Sequence, residues 1–398
     1  MTIKKRAVFF IGGYEPKTPA EFFTRLRREI GRFEQIWRAQ AAISELVLSE
    51  DGTIASVNIE TEAAGKWSVQ TAFHFLVLDG IVQKDAALPW PQRLLNYLRA
   101  FADFVSGGVL FRMLRQSWRF SLYFLYPFGV MVVFGAIALL SGRLVAGLSV
   151  PLAGPIGMAA ALAVLVVLTV TLGTRSWLSH LMNLWSFSRD YLRHERPDLE
   201  TLLELWATAI VAQAQGAECD ELLLVGHSTG GALILDIAAR CLRLNPGFAG
   251  RVRETSLLTV GSTALKFGWH PAAADFRAKV QRLVDEPRLH WTEFQCLTDL
   301  VNFYRTDPVL EMGLQPRPVA AGEPPFPIVH QVHMRRMLDD AGYRHIRCSV
   351  FRMHYQFISG NSKRYFYDFF MICCGPLPLS LRAAERITGA HVPTAASP

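Results

Sequence analysis

Charge is scarce in this chain of 398 residues: Asp, Glu, Lys and Arg together make up 19%, against 51% hydrophobic residues. That balance is too apolar for an ordinary soluble enzyme and directs attention to membrane-spanning segments. Acidic residues are the scarcer sign, 34 against 41 basic, which leaves a net charge of +7. The basic excess forms no stripe interleaved with aromatics, so a nucleic-acid partner is not expected. Its arginines thicken instead beside the apolar segments, as anchoring at anionic lipid favours.

The six cysteines, at 219, 241, 296, 348, 373 and 374, include no CxxC pair. Their spacing gives neither a zinc site nor a disulfide framework and suits a reducing compartment. His330 and His333 form an HxxH with no third ligand nearby, so neither metal nor cofactor is expected. A signal-peptide core is missing too. The N-terminal MTIKKRAVFFIGGYEP has an apolar run of only about five residues, which reads as a strand. Internal repeats are lacking.

What is present in quantity is uninterrupted apolar sequence. No charge occurs from Phe120 to Gly142, and none from Leu144 to Thr174. A bilayer core of roughly 30 Å needs about 20 apolar residues of helix, and both runs reach that length. The short link around SGRLVAGLSV carries one charge, Arg143, while Arg112, Arg115 and Arg119 flank one side and Arg175, Arg189 and Arg193 the other. The positive-inside rule then places both flanks, both termini and the main domain in the cytoplasm, with the hairpin in the inner or plasma membrane. Trp118, Tyr123, Tyr126, Trp177 and Trp185 lie near the boundaries, where amphipathic rings are favoured.

Around this hairpin, strand and helix patterns alternate. AVFFI reads as a buried strand, and residues 19 to 41 have helical spacing with Phe22, Phe23, Leu26, Ile30, Phe33 and Trp37 on one side. SELVLSE, TIASVNIET and WSVQTAFHFLVLD alternate as strands, with an Asp51-Gly52 turn. ELLLV, TSLLTVGS, LHWTEFQCLT and RHIRCSVFRM read as later strands, and residues 311 to 328 as a proline-rich irregular stretch. The expectation is an α/β fold: a mainly parallel sheet with helices on both faces, interrupted by the membrane hairpin. Its parts are residues 1–115 and 177–387 for the α/β domain, 116–176 for the hairpin, and 388–398 for a disordered tail.

Chemistry gathers at Gly226-His227-Ser228-Thr229-Gly230, a GxSxG between the strand ELLLV and a helical run ending at Asn245-Pro246-Gly247. Glycines flank a serine in this way where it sits on a strained strand-to-helix turn that leaves no room for side chains. The following helix adds free N–H groups and positive potential beside it. His227 reads as packing, pointing away from the serine.

With that motif the chain resembles the α/β-hydrolase family, its lipase- and esterase-like members in particular, as a membrane-anchored member of bacterial type. The resemblance covers the turn around Ser228 well and the rest of the sheet by element order. It implies a triad in the chain order nucleophile, acid, histidine. Ser228 is the implied nucleophile, Asp299 after LHWTEFQCLT the acid, and His354 at the end of RHIRCSVFRM the base. Asp307, in RTDPV, is the alternative acid, while His345 begins the last strand and so lies at the wrong edge. The implied oxyanion hole takes the N–H of Thr229 and one from Gly13 or Tyr14 in FFIGGYEP. That loop lacks the family's His-Gly opening and follows only the first strand, so strands within residues 44 to 78 are expected to fill the sheet beyond it.

The expected function is a membrane-anchored serine hydrolase cleaving an ester, with lipidic esters among its candidate substrates and the bilayer and a small acyl ester as partners. Acyl transfer, thioester cleavage and a non-catalytic membrane scaffold with the same fold are the alternatives.

Overall fold

The run AVFFI extends to β1 (Lys5–Ile11) in the computed structural model, which describes residues 2–149, 151–216 and 218–388. Beyond Thr388, the expected disordered tail lies outside the described residues. β2 (Gln40–Ile43), β3 (Val47–Leu48), β4 (Ile54–Ala63) and β5 (Trp67–Leu76) follow. β6 (Glu221–His227), β7 (Glu254–Val260), β8 (Leu289–Gln295) and β9 (Ile328–Gln331) complete a nine-stranded sheet. Its order is β2-β4-β5-β1-β6-β7-β8-β9, with β3 on β4. From β5 to β9 all neighbours run parallel, whereas β2, β3 and β5 each pair antiparallel with β4. The sheet is therefore mostly parallel, and the strands within residues 44 to 78 do fill the region beyond β1.

Composition explains the arrangement. β6 and β7 are buried at every position, as parallel strands covered on both faces must be. β4 alternates between buried and exposed residues, the pattern of a half-solvated antiparallel strand. The helix Pro19–Trp37 starts at a capping box, with Thr18 and Glu21 exchanging side-chain and backbone bonds. It buries Phe22, Phe23, Leu26, Ile30 and Phe33, and Phe22 stacks on Phe75 of β5 at a ring separation of 4.2 Å.

An ion pair locks the sheet's centre. Arg6 of β1 lies opposite Glu221 of β6 and donates to it at 2.6 Å, with both side chains wholly buried. Its Nη1 donates to the carbonyls of Cys373 and Gly375 and its Nη2 to that of Leu377, while Glu221 also accepts from Leu379 N–H. A buried pair costs desolvation, but removing one partner alone costs about 3–5 kcal/mol. Its consequence here is register: β1 and β6 cannot slide past each other.

The chain divides into two compact units, one from Met1–Gln83 with Leu192–Pro398, the other from Lys84–Tyr191. The sheet belongs to the first. The second begins well before the residue 116 expected for the hairpin, because the helices Trp90–Ser106 and Val109–Gln116 are part of it. Its two longest helices, Trp118–Ala146 and Ala153–Arg175, pack against each other where Gly142 meets Gly157. A Cβ at Gly142 would stand 2.7 Å from the Gly157 carbonyl oxygen, so the backbones touch directly. Arg143 lies in the last turn of the first helix and not in the link, which spans only residues 147 to 152.

Both helices are long and apolar enough to cross a membrane, with mean hydropathies of 2.1 and 2.4 over their central windows. Only 22% and 17% of those windows are buried, unlike core helices of a soluble protein. Leu139, Leu140, Leu144 and Leu162 on these helices are exposed.

Candidate active site

β6 ends at His227 and the helix Gly230–Leu244 starts three residues later. Ser228 joins them at φ 60°, in the left-handed region that residues with a Cβ avoid at a cost of roughly 1–2 kcal/mol. Three backbone bonds hold it there. Ser228 N–H donates to Val260 O at 3.2 Å, and Ser228 O accepts from Gly231 N–H at 3.0 Å and Thr263 N–H at 3.1 Å.

The flanking glycines are required by contact. A Cβ at Gly226 would stand 2.4 Å from Gly230 O, and one at Gly230 would stand 2.3 Å from Gly12 O and 2.4 Å from Ile11 O. All of these are backbone atoms, which cannot rotate away. Ser228 is partly exposed although residues 221 to 227 and 229 to 239 are all buried. Strain and exposure at one serine in an otherwise sealed segment form the arrangement that a nucleophile needs.

Register brings the glycine loop to the serine. Ile11 of β1 pairs with Gly226 of β6, so Gly13 and Ser228, each two residues further on, meet above the sheet edge. A Cβ at Gly13 would lie 3.1 Å from Ser228 Cβ and 3.2 Å from its Oγ. Tyr14 follows and is buried. Thr229, also buried, opens the helix, and its N–H is among the first-turn donors a helix leaves without an internal partner.

Parallel pairing aligns the carboxyl ends of β6, β7 and β8 at this same edge. Asp299 lies in the loop leaving β8 and His354 in the short helix Val350–Tyr355. Asp299 Oδ2 accepts from His354 Nδ1 at 2.7 Å, with side-chain exposures of 0% and 5%. Its Oδ1 accepts from Val301 N–H, and Asn302 clamps the loop by bonding Cys296 N–H, Cys296 O and Asp299 O. The carboxylate is thereby fixed before any ligand arrives.

His354 is steered from its other side as well. The ring of His227 lies 4.4 Å from that of His354, and His227 Nε2–H donates to the His354 carbonyl at 3.2 Å. Burial, with His354 as the nearest charge neighbour, drives the pKa of His227 well down, so its ring stays neutral. A Cβ on Gly261, at φ 53°, would come within 3.0 Å of His354 Cε1, so the imidazole passes over the end of β7. His354 Nε2 is buried and makes no hydrogen bond among the described residues, and none joins it to Ser228 Oγ. Such contacts commonly tighten only when substrate is bound.

One expectation is corrected. RHIRCSVFRM is not a strand: it forms the helices Asp340–Ile346 and Val350–Tyr355, each opened by a capping side chain, Asp339 on Gly342 N–H and Ser349 on Arg352 N–H. β-branched residues suggested a strand, but the caps nucleate helix, and the edge strand is supplied by Ile328–Gln331 at the end of the proline-rich stretch. His227 packs, as its reading had it, and what it packs against is the histidine of the pair. The remaining candidates lie elsewhere. Asp307 caps the helix Pro308–Glu311 through Val309 and Leu310 N–H, His345 is exposed, and His330 bonds the Ala383 carbonyl.

Two buried ionisable groups had no signal in the sequence. Lys266 Nζ donates to Thr229 Oγ1 at 3.4 Å, and burial lowers its pKa to about 7. Glu293 accepts from Thr259 Oγ1 and Gln295 Nε2, and burial raises its pKa to about 7. Gln295 continues to Thr306, tying down the far end of the loop that carries Asp299.

Chemically, the site offers an exposed strained hydroxyl, an imidazole oriented by a buried carboxylate, and backbone donors beside the hydroxyl. Such a set can run nucleophilic acyl transfer. Comparison with protein-family models, with curated proteins and with solved structures finds no match to this chain.

Proposed function

We propose that this chain is a membrane-anchored serine hydrolase of the α/β-hydrolase type that cleaves a carboxylic ester. The observation that carries the reading is the buried 2.7 Å pair of His354 and Asp299 at the sheet edge where Ser228 stands in left-handed conformation. The chain order Ser228, Asp299, His354 supports it, as does the glycine loop leaving β1.

In this mechanism Ser228 Oγ attacks the ester carbonyl carbon while its proton passes to His354 Nε2. Asp299 holds the Nδ1–H, fixing the tautomer and stabilising the imidazolium that forms. Negative charge then develops on the carbonyl oxygen, which the N–H groups of Thr229 and of Gly13 or Tyr14 receive. Collapse of the tetrahedral intermediate expels the alcohol, protonated by His354, and leaves an acyl-enzyme on Ser228. Water, deprotonated by His354, releases the acid and restores the hydroxyl.

The helices Trp118–Ala146 and Ala153–Arg175 act as the anchor in this reading. Arginines on both outer flanks favour a cytoplasmic catalytic unit, and tethering to the bilayer makes an acyl ester that partitions into lipid the natural substrate. Full-length protein in mild detergent, assayed with p-nitrophenyl esters of graded acyl length, tests the proposal. Turnover that disappears in Ser228→Ala and His354→Gln while both variants stay folded is expected; turnover that survives Ser228→Ala overturns it.

A further inference from the structure

The helices Trp90–Ser106 and Val109–Gln116 lead into Trp118–Ala146 and share its compact unit. Each is apolar on two sides. Inward, Tyr97, Ala100 and Phe104 of the first and Val109 and Met113 of the second are buried. Phe104 meets the ring of Trp185 edge-on at 5.4 Å, and Phe101 stacks on Phe124 at 5.2 Å and on Phe128 at 4.5 Å. Outward, Leu95, Leu98, Phe111 and Leu114 are exposed, Phe111 to 65%, and Trp118 follows them at 60%. Leu95 and Leu98 stand three positions apart, as do Phe111 and Leu114, so each pair lies on one side of its helix. A helix that faces water carries polar residues there, and large apolar ones in a row mark a contact surface.

The hairpin fixes the level at which this row lies. With 29 residues, Trp118–Ala146 is about 43 Å long, more than a bilayer core of roughly 30 Å requires. Its partner helix ends at Arg175, and there the Tyr126 hydroxyl donates to Ser176 O at 2.9 Å. The two turns from Trp118 to Leu125 therefore run on past the end of the second helix, by about 12 Å. Phe124 lies in that overhang and Phe128 just below it, so Trp90–Ser106 packs at the hairpin's edge, the end where Arg119 and Arg175 stand.

Charge says what covers the row. Between Trp90 and Arg119 there are five arginines and one acid, Asp103, which pairs with Arg189 at 3.7 Å. Arg93 is held by Asn183. Arg99, Arg112 and Arg115 are exposed, and among the described residues no carboxylate pairs with them. Such arginines do not enter the hydrocarbon core, whereas the leucines beside them leave water: the headgroup layer suits both. A second copy would bring like charge to this face, and anionic lipid brings the opposite one.

We infer that these two helices form a platform that docks on an anionic lipid surface. Leu95, Leu98, Phe111 and Leu114 enter the boundary between headgroups and acyl chains, and Arg99, Arg112 and Arg115 take the anionic headgroups. The inference rests on the anchoring reading of the hairpin and is independent of the ester chemistry.

The test uses the full-length chain in nanodiscs, with Cys219 and Cys348, the two cysteines that are not buried, replaced by Ser. An environment-sensitive fluorophore is attached to Leu98→Cys, Leu114→Cys or, within the first membrane helix, Ile137→Cys. Labels at 98 and 114 are expected to be quenched best by lipids brominated close to the headgroup and poorly by aqueous iodide. The label at 137 should be quenched best by lipids brominated near the chain end. At equal mole fraction, brominated phosphatidylglycerol should quench the label at 114 about twofold more than brominated phosphatidylcholine, as a basic surface enriches anionic lipid. Combining Arg99→Gln, Arg112→Gln and Arg115→Gln should abolish that preference. Labels at 98 and 114 open to iodide and untouched by brominated lipid, with 137 still quenched, overturn the inference and leave the anchor standing. Labels shielded from both quenchers, with energy transfer between differently labelled chains, show a second copy on this face and overturn it as well. Equal quenching by the two headgroups overturns the choice of anionic lipid. A label at 137 open to iodide overturns the anchor and the platform together.

Discussion

Replacing Asp299 by Asn is the perturbation whose size the site predicts most fully. The carboxylate accepts from His354 Nδ1 at 2.7 Å in a spot where neither side chain is appreciably exposed. Asn is isosteric, so the loop clamped by Asn302 keeps its shape, and the Val301 N–H can still bond the side-chain oxygen. The amide, however, turns a donor toward Nδ1. The imidazole then carries its proton on Nε2, where it cannot accept one from Ser228, and the imidazolium loses its counter-charge. In a triad that change costs about 10^3- to 10^4-fold in kcat, or about 4–5.5 kcal/mol of transition-state stabilisation. Ester turnover by purified Asp299→Asn in detergent measures it, with a thermal unfolding curve to show that the fold survives. Asp307→Asn is the matched comparison: Asn still caps the helix Pro308–Glu311, so its turnover should stay within about threefold, since Asn and Asp are near-equal caps. Turnover within tenfold of wild type in Asp299→Asn, or an equal loss in Asp307→Asn, refutes the assignment of the acid.

Three further outcomes are expected. Gly230→Ala drives a methyl into the carbonyl oxygens of Gly12 and Ile11, and overpacking against backbone costs about 3 kcal/mol; turnover should fall with stability, and a fully active, equally stable variant would contradict the packing of the glycine loop on the turn at Ser228. Glu293 has its folded pKa raised to about 7 from an ordinary 4.5, so the native state holds the proton more tightly and stability declines as pH rises between these values. Glu293→Gln removes that decline: relative to wild type it should gain roughly 3 kcal/mol between pH 4 and pH 8, whereas an identical difference in unfolding midpoint at both pH values would show that Glu293 is not the titrating group. A reporter fused after residue 398 should be active only in its cytoplasmic form, and activity from the opposite side would overturn the orientation drawn from the arginine flanks.

The site was unevenly legible in the sequence. Ser228 and its two glycines could be read because a strained strand-to-helix turn admits few residue types, and the apolar run before it could only be a buried strand. Asp299 could be placed because it follows a strand whose parallel neighbours bring its end to the same edge. His354 had the correct place in the chain but the wrong element around it, since two capping side chains outweigh the β-branched pattern of a short segment. The contact of His227 with His354 was invisible, because the orientation of a residue beside a left-handed turn depends on that turn's geometry and not on residue type. Lys266 and Asn302 belong to no spacing pattern; the fold alone brings Lys266 to Thr229. The hairpin was plain because charge-free helices of bilayer length are rare in soluble proteins, although its link proved shorter than the charge pattern implied.

The central claim is that Ser228 is a nucleophile activated by His354. A fluorophosphonate reacts only with such a serine, so the decisive measurement is peptide mass spectrometry of the full-length protein after labelling in isolated membranes. One phosphonate per chain, on the peptide containing Gly226 to Gly230 and lost in His354→Gln, is the result this account predicts. A folded wild-type protein that takes up no label, or takes it up on a different serine, would contradict it.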